Sequence, residues 1–492
     1  MLVFSYYIYM SEPNSKKFYI TTTLPYVNAE PHVGFATEII RADVVARVKK
    51  MQGFDVFFNT GTDEHGQKLF DTAVREGKSV KEYVDGYAEQ FKGLKGLLGI
   101  SDDVHFIRTT DEKHEKAVQE FWSRCFNNGY IYKKNYQAKY CVGCELEKTD
   151  SELVDGRCPV HPNKDLEVIE EENYFFKFSA FQEQLLSLYK NNPDFVVPDF
   201  RFTEIKSFVE RGLQDFSISR QKSKMSWGIS VPGDSEHVIY VWFDALVNYI
   251  STLGWPDDIK SFEDFWVNGT PVQYCGKDNL RQQSAMWQAM LMAAGLPNTK
   301  QIIIDGFLTG EGGVKMSKSL GNVVHPYDVV KEYGTDALRY FCLGEFSAFE
   351  DSPFTLERFK ESYNAKLANG IGNLTNRVMK MAEANLTGPV EILDRTIPEE
   401  YFEIASTYDF VKLCQYVWSH VQSADQYIQE HKPFSVIKTD TEKGIEMITE
   451  LVTRLYAISS MLNPLLPETS RAIKECIEAN KMPLEPLFLR KD

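Results

Sequence analysis

The sequence predicts a parallel α/β sheet that is split by an inserted segment and followed by a helical bundle. Three observations support this. A β-like run, Phe18-Tyr19-Ile20-Thr21-Thr22-Thr23, ends in a turn and leads into a helical pattern from Phe35 to Lys50, the strand–turn–helix opening of a doubly wound sheet. From about Tyr132 to Met225 that rhythm stops, giving way to clustered cysteines, an acidic run from Glu167 to Glu172 and Pro-rich turns. From about Asn364 onward long helical patterns dominate and β-rich segments vanish.

Taken in order, residues 1–17 form an extension, 18–131 the first half of a Rossmann-type domain and 132–225 the insertion. Residues 226–340 then form its second half, 341–363 a linker and 364–492 the helices. The apolar start Met1 to Tyr9 lacks a basic region and a small-residue cleavage site, so it reads as an incidental extension ahead of a start at Met10. The first turn carries Pro25-Tyr26-Val27-Asn28-Ala29-Glu30-Pro31-His32-Val33-Gly34. A helix that starts there offers free N–H groups to phosphate, His32 can donate to a phosphate oxygen, and Gly34 admits a flat group close to backbone. The next strand, Asp55 to Thr60, runs into Thr62-Asp63-Glu64-His65, and polar residues at a strand end are where such sheets place ligand groups. The α/β pattern resumes near Trp227, with apolar runs Val238-Ile239-Tyr240-Val241-Trp242-Phe243 and Gln301-Ile302-Ile303-Ile304-Asp305. In the last part, Asn373 to Met381 and Tyr408 to Ile428 read as amphipathic helices.

At 492 residues with 43% hydrophobic content, the chain is long enough for several packed units. No apolar run approaches the ~20 residues that span a bilayer, so no membrane association and a cytoplasmic location are expected. A net charge of −16 argues against a general polyanion binder; any RNA contact is confined to a local stripe and is salt-sensitive. Of the eight cysteines, three cluster. Cys141-Val-Gly-Cys144 and Cys158-Pro-Val-His161 can close a tetrahedron of three thiolates and an imidazole around Zn2+. With all four positions filled by protein, such a site is structural, not catalytic. The scattered cysteines read as buried small hydrophobes.

Far downstream, Gly310-Glu311-Gly312-Gly313-Val314 precedes Lys315-Met316-Ser317-Lys318-Ser319. Two ammonium groups on pliable backbone suit a negative charge that develops late in a reaction. This loop and the Pro31-His32-Val33-Gly34 turn, in that order, resemble the two signatures of class I aminoacyl-tRNA synthetases. Val241-Trp242-Phe243-Asp244-Ala245, Gly276-Lys277-Asp278 and the place of the cysteine knuckle resemble the methionyl-tRNA synthetase family, and the likeness runs from Phe18 to Asn463-Pro464-Leu465-Leu466-Pro467. The cysteinyl family is the nearest rival of this size, but there the zinc keeps an open position for the substrate thiol. Relatives with an editing domain are several hundred residues longer.

The resemblance implies that methionine, ATP with Mg2+, and tRNA(Met) are the substrates. Methionine's carboxylate attacks the α-phosphate, pyrophosphate leaves, and the methionyl group passes to the terminal ribose of the tRNA. It assigns His32, Lys315, Lys318 and Arg220 to catalysis, and Pro31, His32, Gly34, Gly276, Asp278 and Lys318 to ATP. It assigns Leu24, Tyr26, Asp63, Trp242, Ala245, Tyr249 and Gln283 to methionine. Aromatic walls suit a polarizable thioether. Asn373, Arg377 and Phe434 match positions that read the anticodon; the first two lie four residues apart on one helical face. For each of these residues taken singly, core packing or a solvated polar face is the alternative.

Four positions depart from the family pattern. Phe35 stands where the first signature ends in a second histidine, Gln283 where a pocket histidine is usual, Leu246 where some members carry proline, and Phe434 where tryptophan is usual. These imply altered ATP contacts, a reshaped methionine pocket and stacking on a smaller ring. An active enzyme is expected, and a monomer, since no appended dimerisation domain follows the helices in this sequence. Two other readings remain: a non-catalytic RNA-binding relative, and a small-molecule nucleotidyl transferase of related fold.

Overall fold

The computed structural model describes residues 16–144, 146–148, 153–314 and 323–491. The loop with Lys315 and Lys318 lies outside the described residues, as does the extension up to residue 15.

Six parallel strands form the central sheet: β1 (Lys17–Thr22), β2 (Asp55–Thr62), β3 (His105–Arg108), β4 (Val196–Val197), β5 (Thr270–Gly276) and β6 (Gln301–Asp305), in the spatial order β3-β2-β1-β5-β6-β4. Central β1 sets Ile20 beside Phe58 of β2 and Val272 of β5. Its buried run reads as continuous apolar residues because helices cover both faces of a parallel sheet. The chain first builds outward from β1 to β3, and later returns to add β5 on β1's other side. The crevice between β1 and β5 is therefore the switch point, where open α/β sheets bind ligands at the carboxyl ends of their strands.

Helix α1 (Val33–Met51) follows β1 directly and is buried along most of its length. It shares one hydrophobic core with β1, β2 and the C-terminal helices. Those helices are α2 (Thr335–Gly344), α3 (Asn373–Asn385), α4 (Phe410–His431), α5 (Thr441–Leu462) and α6 (Pro467–Ala479). In α4 the buried positions Leu413, Val417, Val421, Ala424 and Ile428 recur every three or four residues, the period of one helical face. Two buried arginines tie the sheet to the bundle. Arg41 of α1 pairs with Asp305 at 2.9 Å and donates to the carbonyls of Cys342, Phe346 and Ser347. Arg339 of α2 pairs with Asp43 at 2.8 Å and donates to the carbonyls of Pro464 and Leu465.

Within 132–225, a long hairpin of Ile131–Cys141 against Glu167–Phe176 carries the cysteine knuckle at its far end. Its near end buries Phe175 and Phe176. The structure differs from the sequence reading at two places. Val196–Val197 joins β6 as an edge strand of the central sheet, so this segment is not wholly outside the sheet. The apolar run 238–243 is divided between a strand and a helix, and neither half joins the central sheet. Asp234–Ile239 pairs antiparallel with Ser219–Gln221 in a separate small sheet, and the chain turns at Tyr240 into a helix over Val241–Leu246. An unbroken apolar run buried on all sides carries no period to separate strand from helix. Among the described residues, no helix is long and apolar enough to cross a membrane.

Candidate active site

A cavity of about 300 Å³ opens at the switch point, lined by Thr23, Tyr26, His32, Gly34, Phe35 and Glu38 on the β1–α1 side and by Gly276, Asp278, Asp305 and Phe307 on the other. His32 is the N-cap of α1: its extended backbone breaks the helix and its Nδ1 accepts the Gly34 N–H at 3.1 Å. A Cβ at Gly34 would sit 2.9 Å from the His32 ring, so glycine there is a packing requirement. Pro31 is buried, and its carbonyl accepts from His325 Nδ1 at 3.4 Å. Phe35 lies on the cavity wall, edge-on to Phe91 with centroids 5.3 Å apart, an apolar surface suited to a flat base.

Gly276 ends β5 between the acidic groups: a Cβ there would come within 2.9 Å of Asp278 Oδ1, 3.6 Å of Phe307 and 4.0 Å of Glu38 Oε2. Asp305 is fixed by Arg41 and by the Tyr274 hydroxyl, which donates at 2.7 Å. Burial raises the Asp305 carboxyl even so, with Arg41 opposing. Glu38 accepts the Thr23 N–H at 2.8 Å, and burial, with Asp305 and Asp278 nearby, pushes its carboxyl up to about 8. Glu38, Asp305 and Phe307 escaped the sequence reading. Glu38 lies one helical turn after Gly34, and Asp305 is the polar end of an apolar strand, the same signal that singled out Asp63.

Of the residues that the resemblance assigns to the amino acid, Tyr26 lines this cavity. Tyr26 and Asp63 form a parallel bridge, with Asp63 N–H donating to the Pro25 carbonyl at 2.9 Å and Val27 N–H to the Asp63 carbonyl at 3.2 Å. Leu24 and Asp63 are buried. Gly66, at φ +124°, leaves room for the Tyr26 hydroxyl, which a Cβ would meet at 2.5 Å. Two residues beyond Asp63, His65 Nδ1 contacts the buried Asp244 carboxylate at 2.8 Å, and His114 Nε2 contacts its other oxygen at 3.0 Å. Burial would raise the Asp244 carboxyl, but the two imidazoles hold it low. This clamp brings the helix bearing Trp242 and Ala245 against the end of β2. The Trp242 Nε1 is buried with no hydrogen-bond partner among the described residues.

Tyr249, one turn further on, is 2% exposed and accepts a short hydrogen bond from the Gln283 amide. The Gln283 carbonyl oxygen in turn accepts from Gln273 at 2.5 Å, and Gln273 accepts from Thr299 at 2.6 Å. Gln283 is thus knitted into a buried polar chain. Arg220 stacks 4.3 Å from the Tyr240 ring and donates to Ser217 Oγ and the Ser219 carbonyl. Leu246 is buried in the second core.

At the knuckle, the ligand atoms of Cys141, Cys144, Cys158 and His161 all lie within 4.8 Å of one another. Ligand bonds of ~2.3 Å to sulfur and ~2.0 Å to nitrogen require separations of that order. A Cβ at Gly143 would meet the His161 ring at 2.6 Å, which accounts for glycine inside the Cys-x-x-Cys turn.

In the bundle, exposed Asn373 opens α3 and Arg377 follows one turn later. Lys432 ends α4 in the left-handed region (φ 47°), Pro433 starts a new turn, and the Phe434 ring is 47% exposed. Arg377 and Phe434 line one cavity of about 480 Å³, together with Lys380, Ile428 and Lys438.

A family model described as tRNA synthetases class I (M) matches residues 18–167 and 152–379. The chain is 40% identical over 476 residues to a methionine–tRNA ligase of Caldanaerobacter subterraneus subsp. tengcongensis, covering 94% of this chain and 74% of that protein. To the methionine–tRNA ligase of Thermosynechococcus vestitus it is 41% identical over 477 residues, covering 93% and 89%. A solved structure of Mycobacterium tuberculosis methionyl-tRNA synthetase in complex with methionyl-adenylate superposes with a TM-score of 0.89 at 33% identity, covering 96% of this chain and 100% of that one.

Proposed function

Since the chain belongs to the methionyl-tRNA synthetases of class I, we propose that the switch-point cavity is where it activates methionine and the exposed bundle cavity is where it reads tRNA. The chain is a methionine–tRNA ligase. Methionine's carboxylate oxygen attacks the α-phosphate of ATP, the bond to the β-phosphate oxygen breaks, and pyrophosphate leaves. A terminal ribose hydroxyl of tRNA then attacks the methionyl carbonyl and AMP departs. No side chain becomes covalently bound, so the protein contributes position and charge.

The cavity flanked by His32–Gly34 and Gly276–Asp278 carries the assignment. With Nδ1 accepting from Gly34, the neutral His32 ring carries its proton on Nε2, a donor for phosphate oxygen at the positive end of α1. Asp278, with Glu38 beside it, faces the ribose across the side-chain-free edge of Gly276, and Phe35 and Phe307 flank the base. Lys315 and Lys318 hold the leaving pyrophosphate, and Mg2+ accompanies the nucleotide. Asp63 takes the α-amino group, with Arg220 supporting it. Leu24, Tyr26, Trp242, Ala245 and Tyr249 enclose the thioether, and Gln283 fixes Tyr249. Zinc at Cys141, Cys144, Cys158 and His161 staples a hairpin end with little core of its own. Asn373, Arg377 and Phe434 contact the anticodon of tRNA(Met).

Pyrophosphate exchange into ATP, run with each standard amino acid in turn, tests the pocket. Methionine alone should support exchange; exchange with cysteine in its place would refute the assignment of the wall residues.

A further inference from the structure

Arg377, in the bundle cavity, is held by an ion pair from its Nη1 to Asp425 Oδ1. Asp425 is on α4, one turn before the cavity-lining Ile428. Its second oxygen accepts from the Gln429 amide at 2.6 Å. Both partners of the pair are about one-third exposed, and an ion pair this exposed adds little to stability. Its effect is geometric: it fixes a planar guanidinium beside a carboxylate, both reachable from solvent, and Arg377 shares its cavity with the exposed Phe434 ring, which can take a stacked base.

We propose that Asp425 is a specificity-determining residue, which accepts a hydrogen bond from the amino group of the cytosine at the first anticodon position while Arg377 donates to that base's ring nitrogen and carbonyl. This rests on the anticodon reading of the bundle and deepens it. The Watson–Crick edge of cytosine presents one donor, the N4 amino group, followed by two acceptors. The Asp425–Arg377 pair presents an acceptor followed by donors, the complementary order. Each carboxylate oxygen has two lone pairs, so Asp425 can keep Arg377 and Gln429 and still accept from the amino group. Uracil places a carbonyl oxygen where cytosine has the amino group. That oxygen would face a carboxylate with no proton between them, so the same residue that favours cytosine rejects uracil.

The test is aminoacylation of unmodified tRNA(Met) transcripts that differ only in cytosine or uracil at that base, by wild-type protein and by the Asp425→Asn, Asp425→Ala and Arg377→Ala variants, with thermal unfolding as the check on folding. Asparagine is isosteric and can turn its NH2 toward the uracil carbonyl. Asp425→Asn should therefore shrink the cytosine-over-uracil ratio of kcat/KM at least tenfold, chiefly by improving the uracil transcript. If Asp425 merely braces Arg377, Asp425→Asn and Asp425→Ala weaken both transcripts equally and the ratio stays, which would overturn the proposal. In that case Arg377→Ala still loses charging of the cytosine transcript, and the anticodon reading survives. If Arg377→Ala charges both transcripts as wild type does, the anticodon reading itself fails, and the role of Asp425 with it.

Discussion

Replacing Gly34 by alanine should separate the stability of α1 from its catalytic use. The new Cβ would sit 2.9 Å from both Cε1 and Nδ1 of His32, inside any real Cβ contact. The exposed imidazole is the part able to move, so it swings away and the Nδ1 bond to the residue 34 N–H is lost. Loss of an N-cap costs about 1 kcal/mol. Gly34 is already in the helix, where alanine is favoured over glycine by roughly 1 kcal/mol. The two effects nearly cancel, so urea denaturation should move by less than about 1 kcal/mol. Catalysis has no such offset. A donor aimed at charge that develops in the transition state is worth ~10²–10³ in rate, so methionine-dependent ATP–pyrophosphate exchange should fall by about that factor. The double variant supplies the sharper check. If Gly34→Ala acts through the ring, adding His32→Ala should cost little more than the worse single change. Additive losses would mean that the methyl group obstructs the nucleotide directly, and exchange within a few-fold of wild type would refute the role of His32 altogether.

Three further outcomes are expected. The Glu38 carboxyl is raised from 4.5 to about 8, so the folded state holds its proton more tightly than the unfolded chain; the associated stability is complete below pH ~4.5 and is lost as pH rises through ~8. Glu38→Gln, which keeps the acceptor for Thr23 N–H, should gain melting temperature relative to wild type between pH 6 and 9, and parallel curves would contradict the raised carboxyl. Arg339→Ala leaves the buried Asp43 carboxylate to Arg47 and Ser101 alone and strips the Pro464 and Leu465 carbonyls of their donor, so it should cost about 2–4 kcal/mol in urea denaturation, below the full cost of an unpaired buried charge; a change below about 1 kcal/mol would show that water replaces the pair. Purified protein should contain about one zinc per chain, and Cys158→Ser should remove the metal and open the 141–161 segment to limited proteolysis. An unchanged cleavage pattern would argue against a zinc staple.

Much of the frame was legible because it is written in contiguous, periodic stretches. β1 is a short run of strand-forming residues bounded by a turn, the start of α1 follows directly on that turn, and the α4 face at Leu413, Val417 and Val421 repeats at the helical period. The 238–243 run could not be divided into strand and helix because burial on all sides erases any period, and Val196–Val197 was missed because two residues are too few to show one. The candidate site divides in the same way. His32 and Gly34 are neighbours in a single turn, and the zinc ligands announce themselves by spacing. Glu38 comes from α1 and Asp305 and Phe307 from the end of β6, and the two segments line one cavity only once β6 is laid beside β5. Nothing local marks Gln283 as the partner of Tyr249, because a glutamine in a helix is common and its meaning lies in the buried chain through Gln273 and Thr299.

The charged residues of α1 show what such separation conceals. Ile39-Ile40-Arg41-Ala42-Asp43-Val44-Val45 sets two charges in an apolar helix, and buried charges must be paired. From the sequence alone only Arg47, four residues after Asp43 and 2.8 Å from it, is visible as a partner; Asp305 and Arg339 lie some 260 and 296 residues away. Residues two apart on a helix point about 200° apart, so Arg41 and Asp43 leave α1 in different directions. Arg41 holds Asp305 at the cavity edge together with the 342–347 carbonyls, and Asp43 holds Arg339 against the start of α6. Helix α1, whose first turn lines the switch-point cavity, is thus fastened by its third turn to α2 and the 342–347 segment and, through Arg339, to the chain just before α6. A rearrangement of the C-terminal helices relative to the sheet would have to break the buried Asp43–Arg339 pair and the Arg41 bonds to the 342–347 carbonyls, at several kcal/mol by the usual order of magnitude for a buried pair. The two cavities are therefore held in one frame, and a tRNA read at the proposed anticodon residues Arg377 and Phe434 would meet an active site whose distance is set in advance by the packing of α1 on those helices.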